Sequence, residues 1–241
     1  MNKLLMTTAI LAAIGATPAA ARLQLSINVG GTTFTCFDGQ GSCDQSGGAN
    51  NLLTIDQTVG GAFVEVTLAQ STFGAVNTLQ LSSSNIVNES GAPITVKLLA
   101  SDTNFHPPVS FIRDSGSLTF NNAVGSGQSM LQFWADAANA QGANPNNTPG
   151  NLLETVFGTP NTNPDSFSGS NLAAFLANNP FSMTEGASLS LVGGSNITGF
   201  NQSMTSGVPE PKTWAMLAIG FAFLGFAGLR RKSRLNRFAA I

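Results

Sequence analysis

Tyrosine is absent from the 241-residue chain, histidine occurs once, cysteine twice, and charged residues make up only 9%, against about 25% in ordinary soluble proteins. Each shortage excludes a class. One histidine cannot build a multi-histidine metal centre. Two cysteines cannot complete a structural zinc site, which takes about four ligands. Of the ten lysines and arginines, six lie in the last 33 residues. The body therefore has too few cations to neutralise a run of phosphates, and nucleic acid is not an expected partner. What is plentiful is 42% hydrophobic residues, 17 Phe, 26 Gly and 11 Pro. That is too apolar for a fully disordered chain, and the length fits one all-β domain.

The scarce charge is sorted along the chain. Residues 1–21 carry +1, from Lys3; residues 22–208 carry −8; residues 209–241 carry +5. An acidic body flanked by basic ends is the pattern of a translocated segment with cytoplasmic flanks. Residues 1–21 read as a secretory signal peptide. Lys3 is followed by apolar and small residues to Gly15, then by the helix breaker Pro18. Ala19 and Ala21 supply the small-x-small cleavage pattern, with the cut placed after Ala21. Residues 22–206 form the body, and residues 207–241 a tail. Within the tail, residues 214–229 are sixteen uncharged residues. As a helix these span about 24 Å, just under the usual transmembrane range. Trp214 marks one end, where an indole favours the interface. Arg230, Arg231 and Lys232 mark the other and open a basic cytoplasmic tail, 230–241. A run this short, interrupted by Gly220, Gly225 and Gly228, suits a transient membrane anchor.

Pro209, Glu210 and Pro211, then Trp214 and Ala215, then the glycine-interrupted apolar run and its Arg230–Arg231–Lys232 cluster, closely resemble the PEP-CTERM sorting domain of exopolysaccharide-producing Gram-negative bacteria. The resemblance covers residues 208–232, and the nine residues after it extend beyond the usual pattern. It implies a substrate of exosortase, a membrane transpeptidase that cuts near the triplet and passes the body outward. The local physics agrees, because Pro209 and Pro211 fix φ and hold this stretch extended, out of the helix that follows. Three body segments also resemble a module common among such proteins: the cysteine loop Thr32–Asp44, the stretch Phe133–Asp136 with Asn139, and Pro180–Glu185.

The body has β patterning. Leu23, Leu25, Ile27 and Val29 alternate with polar residues, as do Val64, Val66 and Leu68, then Leu79 and Leu81, then Ile94, Val96 and Leu98. Further runs lie at 109–112, 118–120, 130–134 and 189–192. Turn-rich segments separate them, which predicts an antiparallel β-sandwich, jelly-roll-like. Residues 172–178 read as a turn or two of helix, 139–171 as a long irregular excursion, and 192–207 as a polar linker.

Few residues offer chemistry. Cys36 and Cys43, in an exported chain, predict a disulfide. Asp38, Asp44, Asn50 and Asn51 carry oxygens, but their spacing fits no EF-hand loop and they read as turn residues. His106 lacks an accompanying nucleophile motif. Glu65, Glu89, Glu154 and Glu185 could pair as glycosidase carboxylates, yet nothing in the spacing pairs them, and they read as solvated. Trp134 beside Phe133 could stack on a sugar; on alternating strand faces one of the two belongs to the core. The sequence thus points to a non-enzymatic, exosortase-processed protein of the cell surface or extracellular matrix, associated with exopolysaccharide. No metal, cofactor or catalytic set is expected. The rivals are a carbohydrate-binding module of the same matrix and a permanently anchored single-span membrane protein.

Overall fold

A computed structural model describes residues 22–208 and the short helical stretch 219–223. The signal peptide with Ala19 and Ala21 lies outside the described residues. So does the sorting motif, Pro209, Glu210, Pro211, Trp214, Arg230, Arg231 and Lys232. Among the described residues no helix is long and apolar enough to cross a membrane.

Alternating apolar residues make twelve strands: β1 (Gln24–Val29), β2 (Thr32–Phe37), β3 (Leu52–Val59), β4 (Ala62–Thr72), β5 (Asn77–Asn88), β6 (Ile94–Phe105), β7 (Val109–Asn121), β8 (Ser129–Asp136), β9 (Asn151–Gly158), β10 (Asp165–Ala177), β11 (Phe181–Leu191) and β12 (Asn196–Gly207). They form two six-stranded sheets, β2-β1-β6-β11-β8-β9 and β10-β7-β12-β5-β4-β3. Every pairing is antiparallel. The body is therefore an all-β, antiparallel two-sheet sandwich. The pairs β8–β9, β7–β10, β6–β11 and β5–β12 nest inside one another, like one long hairpin folded across both sheets.

The core lies between the sheets. Leu25 and Ile27 of β1, Val96 and Leu98 of β6, Leu131 and Phe133 of β8 and Leu189 of β11 face Leu79 and Leu81 of β5, Leu118 and Phe120 of β7 and Met204 of β12, all fully buried. Burying each such side chain contributes about 1.5–3 kcal/mol, and their period of two forces strands rather than helices.

Three expectations are corrected. The 172–178 segment is not helical: it ends β10, whose register with β7 slips between Ala174 and Ala177. Leu172 and Leu176 sit four apart like a helical stripe, but both are exposed, at 57% and 77%. The 139–171 excursion holds all of β9 and the start of β10. The supposed polar linker contains β12, a central strand between β5 and β7. Its inward face mixes Ile197, Phe200 and Met204 with buried Gln202 and Ser206, so the apolar alternation is broken by polar residues that face the interior. For the same reason the runs at 109–112 and 118–120 are two halves of one strand, β7, joined through buried Asp114.

Cys36, buried at the end of β2, is bonded to Cys43 in the loop that follows. The predicted disulfide is present, and the small loop it closes limits its stabilisation to about 2.5 kcal/mol by chain entropy. Reduction should lower the thermal midpoint by about 5–10 °C without abolishing folding, which scanning calorimetry with and without reductant will read.

Candidate functional site

On the outer surface of the first sheet, β6, β11 and β8 form the floor of a groove of about 200 Å³. Outward positions place Lys97 on β6, Gln132 and Trp134 on β8, and Gly186 and Ser188 on β11 along it. The register sets this grouping, because Gly186 pairs with Leu99 on one side and Gln132 on the other. Pro145 and Thr148, from the segment between β8 and β9, form the wall.

Specific hydrogen bonds fix that wall. The carboxylate of Asp136 accepts the backbone N–H groups of Ala138 and Ala140, both at 3.0 Å, and turns the chain away from β8. Asn139 takes a left-handed conformation (φ 60°), which asparagine tolerates better than most residues. It exchanges hydrogen bonds with Asn104: its Oδ1 accepts the Asn104 N–H at 2.7 Å and its Nδ2 donates to Asn104 Oδ1 at 2.6 Å. Gly142 donates its N–H to Ser101 Oγ at 2.9 Å. A Cβ there would come within 1.9 Å of Thr184 Oγ1, so only glycine lets the segment lie this close to the sheet. Further on, Gln24 Nε2 donates to Ala143 O and Lys97 Nζ to Pro145 O, each at 3.4 Å.

The two aromatics of β8 separate as strand alternation requires. Phe133 is fully buried between the sheets, and Trp134 points outward, half-buried. Its indole lies against Gly186, where an added Cβ would approach Trp134 Cζ3 to 2.8 Å. The groove therefore offers a flat aromatic surface, an amide at Gln132, hydroxyls at Thr148 and Ser188, and one ammonium at Lys97. Of these the sequence marks Trp134 alone. Lys97, Gln132, Thr148 and Ser188 become neighbours only through the pairing of strands distant in the chain. The one local signal for the wall is the Asp136–Asn139 turn.

The remaining candidates lie elsewhere. Asp38 accepts the N–H groups of Asn50 (3.2 Å) and Asn51 (2.8 Å). Asp44 accepts from the N–H groups of Gly39 (2.8 Å) and Ser46 (2.9 Å) and from Ser46 Oγ (2.7 Å). Burial pushes the Asp44 carboxyl up, but these hydrogen bonds outweigh it and hold it below its ordinary value. Both carboxylates are thus engaged as turn acceptors, as their spacing implies. Among the described residues no group of three or more His, Cys, Asp or Glu is placed to hold a metal ion. His106 is exposed; its backbone N–H donates to Asn77 Oδ1 at 3.1 Å and its carbonyl accepts from Asn77 Nδ2 at 2.9 Å. Glu65 is half-buried and Glu89 exposed.

Glu185 departs from the solvated reading: like Asp114 of β7, it is fully buried between the sheets. Burial pushes Asp114 up to about 8, with Glu154 of β9 beside it adding to the rise. Burial likewise pushes Glu185 well above the usual carboxyl range. Asp102 of β6, also buried, is pushed up to about 6 although Ser71 Oγ donates to it at 2.5 Å.

The chain matches no family model and no curated protein. Among solved structures it is similar to the isomalto-dextranase of Arthrobacter globiformis T6 in complex with panose, at 12% identity and a TM-score of 0.24, over 59% of this chain and 23% of that one. It is similar to the C-terminal family 6 carbohydrate-binding module of LamC, a laminarinase of Zobellia galactanivorans, at 15% identity and a TM-score of 0.21, over 64% of this chain and 88% of that one. A carbohydrate-binding module from Cellvibrio mixtus lichenase 5A, in complex with cellotriose, matches at 12% identity and a TM-score of 0.23, over 61% of this chain and 89% of that one. Likenesses this distant assign neither family nor ligand, and the groove rests on its own residues.

Proposed function

We propose that the chain is an exported, non-enzymatic protein of the cell surface or matrix that binds a polysaccharide in the Trp134 groove. The observation that carries the binding half is the outward indole, lying against Gly186 and flanked by the Gln132 amide and the Ser188 and Thr148 hydroxyls. A sugar ring has an apolar C–H face and a hydroxyl rim, and an aromatic plate with polar neighbours meets both. The volume of about 200 Å³ is below the roughly 300–1,000 Å³ of pockets that enclose a whole ligand. An extended chain seated by one ring suits it better than a free small molecule. The body's carboxyl groups face the interior, the turns or solvent rather than the groove, whose one ionisable side chain is Lys97. That favours retention of a glycan over its hydrolysis, which uses a pair of carboxyl groups.

The delivery half rests on the signal peptide and on the likeness of residues 208–232 to the PEP-CTERM sorting domain. In this reading exosortase processes the tail at the inner membrane and releases the body to the surface or matrix. The Cys36–Cys43 disulfide supports an oxidising destination. The nested strand pairs support the jelly-roll-like form of the sandwich.

Affinity electrophoresis of the full chain in mild detergent, through gels containing single purified polysaccharides, tests the groove. At least one gel should retard the wild type, and Trp134→Ala should weaken that retardation by at least tenfold. Equal retardation of the two would refute the site.

A further inference from the structure

Polar groups accumulate on the inner side of the groove floor, at the point where the core would ordinarily be hydrocarbon. Glu185 of β11 and Asp114 of β7 are fully buried, and none of their carboxyl oxygens has a close, well-aligned hydrogen-bond partner. The backbone of Met204 near Glu185 and of Asn171 near Asp114 offsets only a small part of the cost of burial. Glu154 of β9 pairs with Phe133 of β8, which pairs in turn with Glu185. This row brings Glu154 beside Asp114, with its Oε2 buried and also without a partner. From β12, buried Gln202 leaves its Oε1 unpartnered. Its Nε2 donates to the carbonyl oxygens of Gly186 (3.1 Å) and Gln132 (3.3 Å), the pair that carries the groove floor.

Among the described residues no cation neutralises these acids. Arg22, Arg113 and His106 are exposed, and Lys97 points into the outer groove. The other elements around the cluster present Phe133 and Leu131 from β8, Met204 from β12, and Leu79 and Leu81 from β5. A further buried acid, Asp102 of β6, is bonded to Ser71 of β4. Buried carboxylates without partners are far costlier than buried carboxylic acids. A proton also lets Asp114 and Glu154 bond each other, which two carboxylates cannot do.

We propose that Asp114 and Glu185, with Glu154 beside Asp114, form a proton-held latch between the sheets that keeps the groove floor in place, so that alkali releases the bound polysaccharide. The functional half rests on the groove reading above; the latch itself does not. Asp114 and Glu185 bind protons in the folded chain and release them when it unfolds at neutral pH. Their stabilisation is therefore full below about pH 4, the ordinary carboxyl value, and is lost as pH rises through about 8 for Asp114. Asp102, at about 6, accounts for only the lower part of that window. Ionised, the cluster repels itself and draws water beneath β8 and β11, and the Gln202 bridges to Gln132 and Gly186 yield with it.

The test is the thermal midpoint and the polysaccharide retardation of the full chain, each from pH 6.5 to pH 9. The wild-type midpoint should fall by about 5–10 °C and retardation about tenfold. Asp114→Asn and Glu185→Gln, which mimic the protonated groups without titrating, should each flatten at least half of both changes. A wild-type midpoint independent of pH, or variants that fall as steeply as wild type, would overturn the latch. A calcium-dependent rescue of the alkaline midpoint in wild type alone would overturn it too, by making the cluster a cation site. A midpoint that falls as expected in a chain no polysaccharide retards would leave the latch standing and overturn the groove reading.

Discussion

Phe133→Ala and Trp134→Ala, one residue apart on β8, should have opposite consequences. Phe133 is fully buried among the largest core side chains. Its truncation removes a ring from between the sheets and leaves a cavity, and such changes cost about 3–5 kcal/mol. For a domain of this size that lowers the thermal midpoint by roughly 10 °C or more. Trp134 lies on the outer surface, where its ring covers Gly186, so its truncation should cost about 1 kcal/mol or less. The same change removes the aromatic plate of the groove, and polysaccharide retention should fall at least tenfold. Urea unfolding and affinity electrophoresis on the two variants measure both effects. The groove reading fails if Phe133→Ala, refolded at low temperature, and Trp134→Ala lose binding alike. Binding would then follow general integrity and not the indole. Gly186→Val offers a third check, since a side chain at that position displaces the indole from outside while leaving Phe133 in place.

The parts of this molecule that a reader of the sequence can see are those where each strand carries its own signal. β1, β4, β5 and β6 alternate apolar and polar residues, and the disulfide is carried by the only two cysteines. Legibility ends where a residue's environment is supplied by a strand far away in the chain. β12 reads as a linker because Gln202 and Ser206 occupy inward positions that local rules reserve for apolar residues. Asp114 splits β7 for the same reason, and Glu185 passes for a solvated acid. Only the stacking of β7 and β12 over β8, β9 and β11 places these groups together. β10 misleads in the other direction: Leu172 and Leu176 repeat like a helix face, but they are exposed residues of an edge strand with a slipped register. The groove shows the same limit. Trp134 is visible as an alternating partner of Phe133, whereas Lys97, Gln132, Thr148 and Ser188 are brought beside it by sheet register and by the Asp136–Asn139 turn.

Substituting both Pro209 and Pro211, or Glu210 alone, should leave the complete tail on the chain and hold the protein in the membrane fraction. The wild type should yield a mature body that begins at Arg22. The fold sharpens where its other end should lie. β12 is hydrogen-bonded on both sides, to β5 and β7, and these pairings run to Ser206 and Gly207. Gly207 is buried, and Val208 is exposed. A processing enzyme needs an extended segment free of other pairing, and drawing Ser206 or Gly207 into a cleft would break a central strand. Val208 is the first residue past these pairings, and the Pro209–Glu210–Pro211 triplet follows it in the sequence, where proline lacks an N–H and disfavours a helix. The released body should therefore end between Val208 and Pro211, with β12 entire. A cut inside β12 would instead expose the inward face around Met204 and Gln202 and destabilise what was released. Intact-mass spectrometry of the surface-released protein from its own host gives both ends at once. Peptides from residues 214–230 in that released form would reject the sorting proposal and make a permanent single-span anchor the better account. A terminus upstream of Ser206 would reject the view that the folded sandwich sets the cleavage boundary.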